Sequence, residues 1–289
     1  MSKVAEAREF EKRLRQSAKA ALATIVRGVT PAQEPSLLPE LPVGSIIDPA
    51  KVDRSIVCIT DIDSPAAEQY RKLRAHLHLS PRQSTIMVTS ADAGEGKSMT
   101  AINFAIALAR QIDHTVLLVD ADLRKPSIHT YLGIRADFGL SEYLEGQVKN
   151  LSDVLVKTGI GKLVLLPAGS PPPNSAELLS SNRMKELAQE MKNRYADRYV
   201  IYDASPLLAC ADALSLSKHV DGILLVIQGA RTSAKTVKDA LAHLHGSPVL
   251  GVVYNNVPDF MCKNLYPYDY YRYRKGGESA ESDNGNGKK

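Results

Sequence analysis

The chain has 289 residues, a mass of 31.4 kDa and a formal net charge of +4. Hydrophobic residues make up 44% of it and charged residues 24%, which excludes a wholly disordered or collagen-like chain. Residues 1–27 carry seven Lys or Arg and three Glu, so the remainder is neutral overall, and we expect no nucleic-acid-binding surface. No apolar run approaches the roughly 18 residues of a membrane span. The three cysteines lie far apart in the sequence, which favours neither disulfides nor a metal site. We therefore expect a soluble protein of a reducing compartment, without a secretory signal.

Composition divides the chain into four zones. Residues 1–27 place apolar side chains three and four apart, which predicts an amphipathic helix that is either an ordinary surface helix or a contact for anionic lipid or a partner. Residues 28–55 are rich in Pro, Ser and Gly, which predicts a linker. Residues 56–258 form the predicted main domain, and residues 259–289 a flexible tail that begins with a tyrosine cluster.

The main domain alternates short β-branched or leucine-rich runs with helical patterns. This alternation predicts an α/β fold with a mostly parallel central sheet flanked by helices. Such sheets bind ligands at the carboxyl ends of their strands, so functional residues should follow the strands. The predicted strands are Thr85–Thr89, Val116–Val119, Leu163–Leu166, Tyr199–Tyr202, Ile223–Ile227 and Val249–Tyr254.

A glycine-containing loop follows the first strand and opens directly into a helical pattern. Its sequence, ADAGEGKS over residues 91–98, is a P-loop with Ala91 in place of the first glycine. Backbone N–H groups in such a loop surround phosphate, a lysine reaches the β- and γ-phosphates, and a hydroxyl binds Mg²⁺. The sequence therefore predicts a P-loop NTPase fold that binds ATP and Mg²⁺. The predicted nucleotide-binding residues in this loop are Ala93, Gly94, Glu95, Gly96, Lys97, Ser98 and Met99.

Carboxylates follow two further strands. Asp120 and Asp122 come after the second strand and Asp203 after the fourth, in positions that suit Mg²⁺ binding or acceptance of a proton. A lone aspartate after a strand is more often a helix cap, but three such elements in P-loop order favour an ATP·Mg²⁺ site. Asn255 closes the last strand, where a role in binding adenine and a role in the turn are equally open.

Together these motifs resemble the bacterial tyrosine kinases of exopolysaccharide and capsule assembly. The resemblance covers residues 60–275 and rests on the P-loop, the acidic motif VLLVDADLRKP (116–126), the strand ending at Asp203, the segment 166–181 and the terminal tyrosines. The narrower pattern is similar to the autokinases linked to exosortase-associated systems. The resemblance implies a MinD/ParA-like architecture and an ATP-dependent protein-tyrosine autokinase that regulates polysaccharide polymerisation or export.

The resemblance also implies roles for individual residues. Lys97 would bind phosphates, Ser98, Asp120 and Asp203 would bind the metal, and Asp120 or Asp122 would activate the tyrosine hydroxyl. The family often has Thr-Pro-Pro after the last of these aspartates, whereas this chain has Ala-Ser-Pro at 204–206. That difference leaves Asp203 in place and puts only the threonine's contact in question.

Glu68, Arg71 and Arg74 share one face of a predicted helix, at spacings of three. In isolation this pattern is an ordinary solvated charge cluster. Within the family it resembles the subunit-contact motif of a ring-shaped homo-oligomer, and a planar Arg fork suits carboxylates across such a contact.

Five of the twelve tyrosines lie within eight residues: Tyr266, Tyr268, Tyr270, Tyr271 and Tyr273. An edge strand is disfavoured by Pro267 and the Gly-rich sequence that follows, and a nucleic-acid stacking surface by the lack of a basic surface. A flexible arm of phenols suits phosphoacceptors reached by a neighbouring subunit.

A different class of function is a MinD/ParA-like ATPase switch that controls dimerisation and membrane or cargo contact. Those ATPases carry an additional lysine near the start of the loop, where this chain has Asp92. A nucleotide-binding scaffold with negligible turnover is a third class, disfavoured by the intact acidic set. The family also implies an integral-membrane adaptor, an opposing tyrosine phosphatase and peripheral recruitment to the inner face of the plasma membrane.

Overall fold

A seven-stranded β-sheet forms the centre of the part of the chain that the computed structural model describes. That part comprises residues 47–77, 84–111, 114–193 and 198–258. The predicted helix at 1–27, the first part of the predicted linker (28–46) and the tail at 259–289 with its tyrosines lie outside the described residues.

The sheet is parallel except for one short edge strand. In chain order its strands are β1 (Thr85–Ser90), β2 (Thr115–Asp120), β3 (Val156–Lys157), β4 (Leu163–Leu166), β5 (Arg198–Asp203), β6 (Gly222–Gln228) and β7 (Val249–Asn255). They are arranged as β3-β4-β2-β5-β1-β6-β7, and only β3 runs antiparallel to its neighbour. The predicted mostly parallel sheet is confirmed. Strand β3 was not predicted, because two residues are too few for a periodic pattern.

Helices cover both faces of this sheet. The α-helices of the described residues are α1 (Val57–Thr60), α2 (Pro65–His76), α3 (Lys97–Ala109), α4 (Ile128–Tyr131), α5 (Leu140–Glu145), α6 (Ser175–Ser180), α7 (Asn182–Asn193), α8 (Asp212–Ser217) and α9 (Ala234–His243). Short 3-10 helices occupy Pro49–Lys51 and Leu151–Val154. None of the helices in the described ranges has the length and apolarity needed to cross a membrane.

Helix α3 lies at the centre of the core. It contacts β1, β2 and β5 on one side and α2 on the other, and nearly all of its residues from Ser98 to Ala109 are buried. Its sequence is apolar around the whole circumference, which is typical of a helix enclosed by protein. Full burial of a side chain such as Phe104 contributes about 1.5–3 kcal/mol. The helix that begins at the P-loop is therefore held rigidly.

The predicted linker extends too far into the folded domain. Ile47 and Val52 are buried in the main hydrophobic core, the Ile47 amide donates to the Thr158 carbonyl at 3.1 Å, and the Asp53 amide donates to the Tyr131 carbonyl at 2.9 Å. Residues 47–55 thus belong to the domain. Composition concealed this because the two anchoring apolar residues are separated by polar and proline positions.

A buried glutamate joins two loops near the carboxyl end of β4. One Glu142 carboxylate oxygen accepts from the Gly139 amide at 2.7 Å and the other from the Ser170 amide at 2.9 Å. Burial raises the pKa of Glu142, but these hydrogen bonds outweigh it and leave the pKa lowered. A Cβ at Gly139 would lie 2.2 Å from the Pro167 carbonyl oxygen and 2.3 Å from the Gly169 nitrogen. Only glycine fits at this contact.

We therefore expect Gly139→Ala to destabilise the domain by about 1–3 kcal/mol, because the added methyl group meets backbone atoms that have no free rotation. Thermal unfolding monitored by circular dichroism measures the effect. Gly251→Ala is the matched control, since a Cβ there meets nothing within 4 Å. Equal melting temperatures for the two variants would contradict the tight contact.

Candidate active site

The loop between β1 and α3 curls back on itself through two glycines. Gly94 and Gly96 have φ angles of +79° and +88°, which side-chain-bearing residues rarely adopt. A Cβ on Gly96 would also lie 2.1 Å from the Asn255 amide nitrogen. Gly96 directly precedes α3, so the backbone N–H groups at the start of that helix point into the loop. This is the geometry of a phosphate-binding loop.

Buried polar contacts hold the loop from behind. The Glu95 side chain is 3% exposed; one of its oxygens accepts from the Asp92 amide at 2.8 Å and the other from the Thr232 hydroxyl. The Asn255 side-chain amide donates to the Glu95 carbonyl at 2.9 Å. Asn255 therefore braces the loop in this structure, and its predicted contact with adenine stays a prediction.

One lysine and three aspartates meet at the end of this loop. The Lys97 ammonium lies 2.7 Å from a carboxylate oxygen of Asp122 and 3.6 Å from one of Asp203, and it donates to the Ser98 hydroxyl at 3.0 Å. Asp120 and Asp203 are paired residues on the adjacent strands β2 and β5. The structure thus brings together the side chains that the sequence predicts to bind phosphate and metal.

The remaining predicted loop residues have more local contacts. The exposed Ala93 donates its amide to the Asp92 carboxylate at 2.8 Å, and the Met99 carbonyl accepts from Asn103 at 3.0 Å. Asn103 also accepts from the Cys58 amide at 2.9 Å, which ties the first turns of α3 to α1. These contacts fix the backbone of the loop.

Burial and mutual proximity determine the charges at this site. Burial lowers the pKa of Lys97, but Asp203 and Asp122 outweigh it and leave the pKa raised, so the ammonium stays charged. Burial raises the pKa of Asp120, and Asp203 raises it further. Burial likewise raises the pKa of Asp203, and the opposite effect of the nearby Lys97 ammonium, which lowers this pKa, is smaller. One ammonium is too little charge to compensate three enclosed carboxylates.

Several carboxylate oxygens at the site lack a hydrogen-bond donor. Oδ2 of Asp120 accepts from the Ser127 and Ile128 amides, both at 3.1 Å, whereas its Oδ1 has no partner among the described residues. Neither oxygen of the fully buried Asp203 has a hydrogen-bond partner there either. Native proteins rarely leave buried polar atoms in this condition, so these oxygens fit a divalent cation.

The described residues contain no group of three or more His, Cys, Asp or Glu side chains arranged as a complete metal cage. The predicted ligand set is smaller, with two carboxylates and the Ser98 hydroxyl, and it stays a prediction. Mg²⁺ is usually held by one or two carboxylates together with substrate phosphates and water. The residues present therefore fit Mg²⁺ delivered with a nucleotide.

The predicted subunit-contact residues lie on α2, away from the P-loop in sequence. Arg71 pairs with Glu68 at 2.5 Å and donates to the Ile62 carbonyl at 2.9 Å. Arg74 donates to the Ala107 carbonyl at 2.8 Å, near the end of α3. The two arginines and Arg110 line one pocket together with Cys58, Ile62 and Ala107. The spacing thus produces a shared basic surface, and its contact with another subunit stays a prediction.

Comparisons with known proteins give the chain its family. Residues 86–264 match the CobQ/CobB/MinD/ParA nucleotide binding domain. The chain is 37% identical over 230 residues to the tyrosine-protein kinase YwqD of Bacillus subtilis (strain 168), across 78% of this chain and 92% of that protein. It is 34% identical over 220 residues to the tyrosine-protein kinase wzc of Salmonella typhi, across 74% of this chain but only 30% of that protein.

The chain belongs to the bacterial tyrosine kinase family. Its enzyme class is therefore protein-tyrosine kinase, and its domain is a nucleotide-binding P-loop fold.

Solved structures agree with this assignment. The kinase domain of Escherichia coli tyrosine kinase ETK matches with a TM-score of 0.66 and 32% identity, covering 70% of this chain and 80% of that one. The chimerical protein CapA2B2 matches with a TM-score of 0.66 and 30% identity, covering 76% and 96%. The septum site-determining protein MinD of Pyrococcus horikoshii, at 19% identity and a TM-score of 0.50 over 63% and 76%, shares the fold alone. The narrower exosortase-linked subtype stays a prediction.

Sequence reasoning missed Thr232, Arg124 and Asp212, which contact the loops of the site, and also Glu142, which joins two loops near β4. Arg124 lies within the acidic motif, but its ion pair with Asp212 joins residues 88 positions apart. No local sequence pattern predicts a contact at that separation. Thr232 and Glu142 follow no periodic signal either.

Because the Asp203 carboxylate is buried without hydrogen bonds, we expect Asp203→Asn to raise the stability of the nucleotide-free domain by about 0.5–2 kcal/mol. The same change should abolish the additional stabilisation that Mg²⁺ gives in the presence of ATP. Differential scanning fluorimetry with and without Mg²⁺-ATP measures both effects. Asp239→Asn, at an exposed position on α9, is the control and should leave both unchanged. A destabilised nucleotide-free Asp203→Asn would contradict this account of the carboxylate.

Proposed function

We propose that this protein is an ATP-dependent tyrosine autokinase that phosphorylates the tyrosine cluster at 266–273 of a neighbouring copy. The observation that carries the proposal is the placement of Lys97 between Asp122 and Asp203 at the end of a glycine-formed phosphate loop. The family assignment gives the reaction class, and this geometry supports the choice of residues.

Each residue of the site has a chemical role under this proposal. The P-loop amides and Lys97 bind the nucleotide phosphates, while Asp120, Asp203 and the Ser98 hydroxyl hold Mg²⁺. ATP·Mg²⁺ supplies the transferable phosphoryl group and the charge neutralisation. Asp120 has one oxygen committed to backbone amides, so it is a fixed ligand.

Asp122 is the better candidate for the base. It follows β2 by two residues, its carboxylate lies 2.7 Å from the Lys97 ammonium, and the Lys125 amide donates to its other oxygen among the described residues. An incoming phenol needs a carboxylate within hydrogen-bond distance to accept its proton as the new P–O bond forms. The assignment of the base to Asp122 distinguishes it from the two metal ligands.

Phosphorylation would change the charge of the tail sharply. Each phosphate adds roughly −1.5 to −2 charges, so several of them within eight residues would repel one another. We propose that this repulsion releases the tail from the neighbouring site and loosens a ring of subunits. The cycle of assembly and release would then regulate exopolysaccharide polymerisation or export, with a tyrosine phosphatase restoring the tail.

The proposal places the protein at the inner face of the plasma membrane, recruited by a separate integral-membrane adaptor. The family assignment supports this placement. Glu68, Arg71 and Arg74 would form the contact between copies.

The reaction is tested with two variants mixed in one tube. One chain carries Lys97→Met and an intact tail, and the other carries an intact site and Tyr→Phe at all five positions. With Mg²⁺-ATP, mass spectrometry should find phosphate on 266–273 of the Lys97→Met chain, because the second chain acts on it in trans. The Lys97→Met chain alone should stay unmodified.

Two results would contradict the proposal. Wild-type chain without phosphate on 266–273, under conditions where ATP is consumed, would favour an ATPase switch. Phosphate on the tail of wild type but never on the mixed Lys97→Met chain would show transfer within one chain.

The subunit contact is tested through the mass of the assembly. We expect Arg71→Ala to shift the protein towards monomer in size-exclusion chromatography with light scattering, since it removes a guanidinium from the shared basic surface. Arg54→Ala, an exposed arginine outside this surface, should leave the mass unchanged. An unchanged assembly in Arg71→Ala and in an Arg74→Ala variant would rule out this surface as the contact.

A further inference from the structure

The turn that carries Asp122 is held by few backbone contacts of its own. The Lys125 amide donates to the Asp122 carbonyl at 3.2 Å and to its carboxylate at 3.3 Å. The Ala121 amide donates to the Asp203 carbonyl at 2.9 Å, which fixes the start of the turn. The Ser127 and Ile128 amides donate to the Asp120 carboxylate, which fixes the end of the turn, and Arg124 lies between these two attachments.

A bidentate ion pair crosses from this turn to α8. The Arg124 Nε and Nη2 atoms donate to the two oxygens of Asp212 at 2.9 and 3.0 Å. Asp212 is fully buried, whereas half of the Arg124 side chain is exposed. A buried carboxylate that accepts both arms of a guanidinium fixes the direction as well as the distance of the arginine.

The segment before α8 is itself attached to the phosphate loop. The Leu207 amide donates to the Ser90 carbonyl at 2.9 Å, and the Leu208 amide donates to the Ala91 carbonyl at 3.2 Å. The Thr89 hydroxyl donates to the Ser205 carbonyl at 2.7 Å. Asp212 therefore stands on a segment whose backbone is fixed against the P-loop.

We propose that Arg124 is a positioning residue that sets Asp122 relative to Lys97, with Asp212 as its anchor. The chain of contacts runs from the P-loop through residues 205–212 to Arg124 and so to the turn that holds Asp122. Asp122 closes it with a 2.7 Å contact to Lys97. Arginine is required because a lysine ammonium lacks the planar fork that fixes the turn's orientation.

This inference rests on the proposed role of Asp122 and says nothing of which tyrosine is modified. We therefore expect Arg124→Lys to lower kcat about 10- to 100-fold with an added tyrosine-containing copolymer as acceptor, because a shift of about 1 Å in a catalytic group costs that much. The Kd of a non-hydrolysable ATP analogue should change less than about threefold, since the P-loop is untouched. Arg54→Lys is the matched control and should leave both unchanged.

Hydrogen–deuterium exchange without nucleotide gives a readout independent of activity. In Arg124→Lys, exchange should accelerate in the peptide covering residues 121–127 and stay unchanged across α3. Asp212→Asn should accelerate exchange in the same peptide. The double variant should lose no more kcat than the more affected single one, because both changes break one pair.

The outcomes separate the two proposals. Unchanged exchange at 121–127 in Arg124→Lys would overturn the positioning role whatever the kinase assay shows. Faster exchange with kcat retained would also overturn it, since the turn would move without consequence for Asp122. Wild-type protein that transfers no phosphate would refute the proposed function. The hydrogen–deuterium exchange measurement would still test whether Arg124 holds the turn in place.

Discussion

The enclosure of three carboxylates beside a single lysine is the constraint on which the site depends. Bringing a carboxylate out of water costs several kcal/mol unless charge or hydrogen bonds compensate it. Lys97 compensates Asp122 closely and Asp203 partly, and burial raises the pKa values of Asp120 and Asp203, so one ammonium is left among three carboxyl groups. A site with this imbalance favours a cationic ligand, which Mg²⁺ supplies together with a nucleotide.

The strand order of the sheet creates that concentration of charge. Strands β2, β5 and β1 are adjacent and parallel, so their carboxyl ends lie at one edge of the sheet. Asp120 ends β2 and pairs in register with Asp203 at the end of β5. The P-loop leaves β1 at the same edge, and Lys97 at its end lies 3.6 Å from Asp203. Residues that are distant in sequence thus meet because the parallel sheet has only one carboxyl edge.

This arrangement also explains what the sequence could predict. The six longer strands and the buried helix after the P-loop carry continuous apolar runs, and their type followed from pattern alone. The acidic residues were recognisable because each directly follows such a run. The phosphate loop was recognisable from its glycines, and the structure gives both Gly94 and Gly96 positive φ angles.

The contacts that hold the loops could not be predicted in the same way. Arg124 with Asp212 and Glu95 with Thr232 join residues about 90 and 140 positions apart, and each pair depends on how two loops are placed in three dimensions. The assignment of 47–55 to a linker failed for a related reason. Its two anchoring residues, Ile47 and Val52, show their role only when the surface that covers them is present.

A comparison among the buried carboxylates distinguishes structural from chemical roles. Glu142, Glu95 and Asp212 each have both oxygens engaged by backbone amides, a hydroxyl or a guanidinium. Asp203, equally buried in the same fold, has no hydrogen bond to either oxygen among the described residues. Among the described residues, the carboxylates that join loops are thus satisfied, whereas the buried carboxylate oxygens without donors belong to Asp120 and Asp203 beside the phosphate loop. The fold provides hydrogen-bond donors for buried carboxylates elsewhere. The unpaired carboxylate oxygens of Asp120 and Asp203 are therefore best explained by a ligand that binds them.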